Sequence, residues 1–66
     1  MADVFERIEE VLGDVVELFS LNDIWNVRVV ENGSLLMTAF PHEADAITYA
    51  EVQIRRLGLT NFIRLR

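Results

Sequence analysis

Cysteine and lysine are absent from this sequence, and histidine and proline each occur once. Without cysteine the chain can form neither disulfides nor thiolate metal sites. A single histidine, His42, cannot build a metal site from several imidazoles. The three glycines are too far apart to form a phosphate-binding loop. We therefore expect no metal and no cofactor.

Catalytic patterns are also missing. Ser20 and Ser34 lie in predicted turns, and neither stands in a G-x-S-x-G context. His42, Glu43 and Asp45 have the residue types of acid–base chemistry, but these positions do not all converge on one point of a helix. We expect a non-enzymatic protein with no catalytic residues.

The apolar content is high for so short a chain. The 66 residues form one α+β domain, residues 1–66. A domain of this size buries only about 60% of the surface of its unfolded chain, so it usually needs a disulfide, a metal or a partner. Apolar residues make up 52% of the chain. We expect self-association, with a dimer favoured.

Long apolar runs are absent as well. No segment approaches the roughly 20 apolar residues of a membrane helix. Asp3 and Glu6 stand where a signal peptide carries positive charge. We expect a cytoplasmic protein that does not bind membranes.

What the sequence does contain is a β-hairpin pattern from Ile24 to Phe40. Two β-prone runs flank Asn32-Gly33, the dipeptide that favours a type I′ turn because both of its residues tolerate a positive φ. A two-residue loop pairs Trp25 with Phe40. One face then carries Val30, Leu35 and Met37, and the other carries the predicted core residues, which are Trp25, Val27, Val29, Leu36, Thr38 and Phe40.

Helices are predicted on either side of the hairpin. The apolar residues from Asp3 to Phe19 recur at spacings of three and four, which predicts an amphipathic helix. Pro41 opens a second helix, and Gly58 ends it. The segment from Leu59 to Arg66 reads as a last strand.

The element order is therefore α-β-β-α-β. A right-handed crossover places the last strand beside the first, antiparallel to it, in a three-stranded sheet of order 2-1-3. The hairpin Ile24–Phe40 then packs against two helices. The second and third strands are open edges, and the third is the more available for pairing with another chain.

More apolar residues are available than this sheet needs. The surplus marks a candidate protein interface, because exposed apolar patches are typical of interaction sites. Its residues are Val30, Leu35, Met37, Phe62, Tyr49, Val52, Val4, Val11 and Leu18. We expect a protein-interaction module, adaptor or regulator, that self-associates through its sheet surface or an edge strand. The first helix is the alternative cover for the second sheet face.

Two other functions use the charged residues. The formal net charge is −5, and Glu6, Glu10, Asp14 and Glu17 form a predicted acidic helix face. An acidic inhibitor or decoy of viral or mobile-element type would present such a face to a basic partner. Alternatively, a nucleic-acid-binding module would use Arg28, Phe62, Arg64 and Arg66 on one sheet face. The excess of acidic residues argues against nucleic acid as a partner.

Overall fold

A computed structural model of the chain describes residues 13–65. Within this range, a four-stranded mixed sheet packs one face against a helix. The elements are, in chain order, β1 (Val15–Leu21), β2 (Ile24–Glu31), β3 (Ser34–Phe40), α1 (Glu43–Leu57) and β4 (Ile63–Arg64). The α+β class predicted from the sequence is confirmed.

The hairpin of β2 and β3 has the predicted register, from Trp25 opposite Phe40 to Val30 opposite Leu35. Asn32 and Gly33 both have positive φ, 51° and 82°. Their conformation matches the right-handed twist of the flanking strands, as a type I′ turn requires.

The predicted helix from Asp3 to Phe19 is wrong where the structure describes it, because Val15–Leu21 form strand β1. Residues 3–12 of that prediction lie outside the described residues. β1 pairs with β2 through a second two-residue turn, in which Asn22 and Asp23 have φ of 54° and 65°. Asn and Asp adopt this left-handed conformation more readily than most residues.

The helix prediction failed at its C-terminal end because the five residues 15–19 fit a helical period of 3.6 and a strand period of 2 equally well. Val16 and Leu18 alternate with Glu17 and Phe19, which suits a half-buried strand as well as a helix. Gly13 has a φ of 67°, which is not helical. It lies two residues before Val15, the first residue of β1, and has a left-handed backbone where the sequence predicts a helix.

The predicted sheet order is also wrong. The observed order is β3-β2-β1-β4, so β1 separates the last strand from the hairpin. β1 occupies the place beside β2 because a two-residue turn joins the two strands. β4 is shorter than the predicted Leu59–Arg66 strand and runs parallel to β1. A hydrogen bond from Leu65 N–H to the Leu18 carbonyl, 2.8 Å, extends that contact.

The core lies between α1 and the two central strands. Ala46, Ala50 and Ile54 of α1 are buried against the sheet, and the two alanines allow the helix to approach it closely. The buried sheet residues are Val16, Leu18, Val27 and Val29. The predicted inward face of the hairpin is therefore largely correct, with Trp25 and Phe40 partly buried at the margin of the core.

Helix α1 ends at Gly58, as predicted. Gly58 has a left-handed φ of 73°. Its N–H bonds the Arg55 carbonyl, and the N–H of Leu59 bonds the Ile54 carbonyl at 3.0 Å. This Schellman arrangement satisfies two carbonyls of the last turn and directs the chain back to the sheet.

Two leucines of β1 test the corrected fold. Leu18 is 0% exposed and Leu21 is 60% exposed. We predict that Leu18→Ala costs about 2–5 kcal/mol of unfolding free energy, because it opens a cavity in the core. Leu21→Ala, the matched control, should stay within about 0.5 kcal/mol of the parent protein. Urea denaturation followed by circular dichroism measures both, and equal effects would contradict the assignment of Leu18 to the core.

Candidate functional site

The sheet has one face against α1 and an outer face that points away from it. Side chains alternate along each strand, so the strand pairing assigns every residue to a face. The outer face carries Val15, Glu17, Phe19, Leu21, Ile24, Asn26, Arg28, Val30, Leu35, Met37, Ala39 and Ile63. It is mostly apolar, with a single pair of opposite charges.

That pair, Glu17 and Arg28, lies at the centre of the outer face. The two residues are directly opposite one another on β1 and β2, and Arg28 Nε donates a hydrogen bond to Glu17 Oε1. Glu17 is only 5% exposed. The Arg28 guanidinium also lies 5.5 Å from the centre of the Phe19 ring, within the range of a cation–π contact. A carboxylate this well buried is stable only because its partner is charged and hydrogen-bonded.

Three consecutive residues of β3 are exposed and apolar. Leu35 is 61% exposed, Leu36 57% and Met37 49%. Leu35 and Met37 belong to the outer face, whereas Leu36 is on the same side as α1. Leu36 was predicted to be a core residue. The insertion of β1 explains the difference, because it moves the core toward β1 and β2 and leaves β3 at the edge of the sheet.

The other predicted interface residues are scattered over the structure. Val30 is half-buried on the outer face, and Val52 is exposed on α1. Phe62 and Tyr49 are partly buried against the core, and Tyr49 packs on Phe40 with 5.3 Å between ring centres. Leu18 is a core residue and lines no surface. Val4 and Val11 lie outside the described residues.

Arg28 is not on the same face as Phe62 and Arg64. Arg28 belongs to the outer face, while Phe62 packs against the core on the helix side. Arg64 bonds Glu43 of α1 at 3.0 Å and lies 6.0 Å from the Trp25 ring centre. Arg66 is outside the described residues. The single basic and aromatic face expected from the sequence is therefore not formed by the described residues.

The acidic row is also altered. Glu6 and Glu10 lie outside the described residues, and Glu17 is buried in its ion pair. Asp14 Oδ1 accepts a hydrogen bond of 3.0 Å from the N–H of Asn32, so it connects the start of β1 to the hairpin turn. Asp14 and Glu17 do not form an exposed helical stripe in the described part of the chain.

A third ion pair among the described residues connects α1 to the hairpin. Both terminal nitrogens of Arg56 bond the Glu31 carboxylate, at 3.0 and 3.3 Å. The hydrogen bond to Glu31 raises the pKa of Arg56 above its ordinary value. Both side chains are well exposed, so water screens the pair and we assign it a positioning role rather than a large stabilisation.

No cluster of three His, Asp or Glu side chains suited to a metal ion occurs among residues 13–65. His42 is exposed and precedes α1 without capping it through its side chain. A shallow groove between α1 and the segment before β4 is lined by Glu51, Ile54, Arg55, Thr60, Asn61 and Phe62. These residues do not form a nucleophile with an oriented base.

Comparison with protein families, with curated proteins and with solved structures finds no match to this chain. Between residues 13 and 65, no helix is both long enough and apolar enough to span a membrane.

The sequence contains a second turn pattern that would have placed β3 at the edge of the sheet. Leu21-Asn22-Asp23-Ile24 has turn residues between two β-prone runs, as Asn32-Gly33 has. If Val15–Leu21 is predicted as a strand, this turn pairs it with β2. Strand β2 then lies between β1 and β3, and β3 becomes an edge strand. The amphipathic pattern that begins at Asp3 obscured this turn.

The two carboxylates paired with Arg28 and Arg64 differ in burial, and this predicts a difference in stability. Glu17→Gln should cost about 1–3 kcal/mol of unfolding free energy, because it removes the charged partner of Arg28 in a largely buried setting. Glu43→Gln, the matched control at an exposed pair, should cost about 0–1 kcal/mol. Urea denaturation at two salt concentrations measures both. A Glu17→Gln effect no larger than that of Glu43→Gln would show that burial does not strengthen this pair.

Proposed function

We propose that this chain is a small, non-enzymatic protein-interaction module of the cytoplasm that self-associates through the β3 side of its sheet. The observation that carries the proposal is the run of three exposed apolar residues, Leu35 to Met37, on an edge strand. Exposed apolar surface of this kind costs free energy in water, and a protein partner removes that cost.

The size of the chain supports the same proposal. Within residues 13–65, seven residues form the buried apolar cluster between α1 and the sheet. A core of this size leaves a small margin of stability, and the sequence contains no cysteine to add a disulfide. Association with a second copy would couple folding to assembly and increase stability by mass action.

The distribution of charge is compatible with contact between two identical acidic chains. The net charge of −5 opposes association at long range, but β3 itself has no ionisable side chain. The contact that we propose would therefore bring apolar surface, rather than like charges, to the interface.

Self-association predicts a dependence on protein concentration. Sedimentation velocity from about 1 to 100 micromolar should show a monomer that converts to a dimer. The midpoint of thermal unfolding should rise over the same range, because the dimer is the more stable species. A strict monomer with a constant midpoint would refute the proposal.

The dependence of binding affinity on salt concentration distinguishes this proposal from the two electrostatic alternatives. Added salt screens repulsion between acidic chains, so dimerisation should be unchanged or stronger between about 50 and 300 mM NaCl. A decoy that binds a basic partner, or a module that binds nucleic acid, should bind more weakly as salt rises. A dimer that dissociates on addition of salt would contradict an apolar interface.

A further inference from the structure

We propose that the second copy adds to the sheet at β3, by antiparallel pairing of β3 with the partner's β3 across a twofold axis at Met37. This inference rests on the proposed function and specifies its geometry. The result is a continuous sheet of eight strands, in which the two β3 strands lie at the centre.

The exposed side chains distinguish an edge contact from a contact between sheet faces. Leu35 and Met37 point to the outer face, whereas Leu36 points to the side of α1. A partner stacked on the outer face would leave Leu36 exposed. A strand placed beside β3 contributes side chains to both faces, so it covers all three residues.

The backbone of β3 has the alternation that this pairing requires. Glu31 and Ser34 close the two-residue turn, and the closing pair of such a hairpin exchanges both of its hydrogen bonds. Bonded and non-bonded pairs alternate along antiparallel strands. Leu35, Met37 and Ala39 therefore direct their N–H and C=O groups away from β2, toward the edge of the sheet where no other strand of residues 13–65 lies.

A twofold axis at Met37 pairs all of these N–H and C=O groups with the same groups of the partner's β3. It places Met37 opposite the partner's Met37, and Leu35 opposite the partner's Ala39. Each pair of this kind exchanges two hydrogen bonds, so the three pairs form about six. An axis between two residues would oppose backbone groups that already bond β2, and an axis at Leu36 or Thr38 would place Ala39 or Leu35 opposite a residue outside the partner's β3. Met37 is therefore the axis position at which all three outward residues are paired.

β3 also lacks the features that protect edge strands from pairing. Its seven residues, SLLMTAF, include no charge and no proline, and such edges pair readily with other strands. The opposite edge is different, because β4 is two residues long and Arg64 on it is held by Glu43. Of the two edges, β3 is the one that fits a second copy.

Opposite charges at one position test the register. Met37→Lys and Met37→Glu each place like charges directly opposite one another at the axis, with Cα atoms about 5.5 Å apart. Each variant alone should dimerise at least about tenfold more weakly than the parent chain, a change of about 1.4 kcal/mol. An equimolar mixture should recover a heterodimer, observed by sedimentation and native mass spectrometry.

Leu65 provides the matched control, because it is 37% exposed and lies beside β4, at the opposite edge of the sheet from β3. Leu65→Lys and Leu65→Glu should leave dimerisation within about twofold of the parent chain. If the parent chain dimerises but both Met37 variants do so equally well, the β3 pairing is wrong, and of the proposed function self-association stands while its assignment to β3 fails. If the parent chain is a strict monomer, the proposed function fails first.

Hydrogen exchange on the parent chain tests the pairing without any substitution. The amides of Leu35, Met37 and Ala39 should exchange more slowly as concentration rises, while those of Leu36 and Thr38 are protected by β2 throughout. Rapid exchange of the three outward amides in the dimer would overturn the inference. Protection that does not depend on concentration would also overturn it, because a segment of the same chain would then lie beside β3.

Discussion

In the part of the chain that the structure describes, the fold depends on one geometric constraint: a single helix covers one face of a four-stranded sheet. A helix is about 10 Å wide and neighbouring strands are about 4.8 Å apart, so α1 can cover about two strands. It packs over β1 and β2, where Val16, Leu18, Val27 and Val29 are buried. The strands at the two edges receive less cover, and Leu36 on β3 is exposed although it points to the helix side.

The outer face is not covered by α1, and its centre is occupied by an ion pair instead of an apolar core. At its centre Glu17 and Arg28 neutralise one another, and Phe19 lies against the guanidinium. Because the two residues are directly opposite on neighbouring strands, a slip of one residue in the register would separate them. The pair thus favours one alignment of β1 with β2. The part of this face formed by β3 has no charged residue. An apolar partner therefore fits the edge strand better than the centre of the face.

How far the sequence was informative differs from element to element. The hairpin around Asn32-Gly33 and the end of α1 at Gly58 were predicted correctly, because their positive φ angles strongly favour particular residues. The strand at Val15–Leu21 was missed, because a short apolar stretch fits both periods when it is joined to a helical pattern. That one error also produced the wrong sheet order and the expectation that Arg28, Phe62 and Arg64 share a face.

For the candidate site, the sequence alone identified Leu35 and Met37 as apolar residues outside the core, since the parity of the hairpin determines which side chains face away from the helix. It also determined the turns, the helix end and the acidic balance, all of which are local or compositional properties. The position of β3 at an edge, the burial of Glu17 and the exposure of Leu36 were decided only by the tertiary structure. Each depends on which strand lies beside which, and that pairing joins residues far apart in the chain.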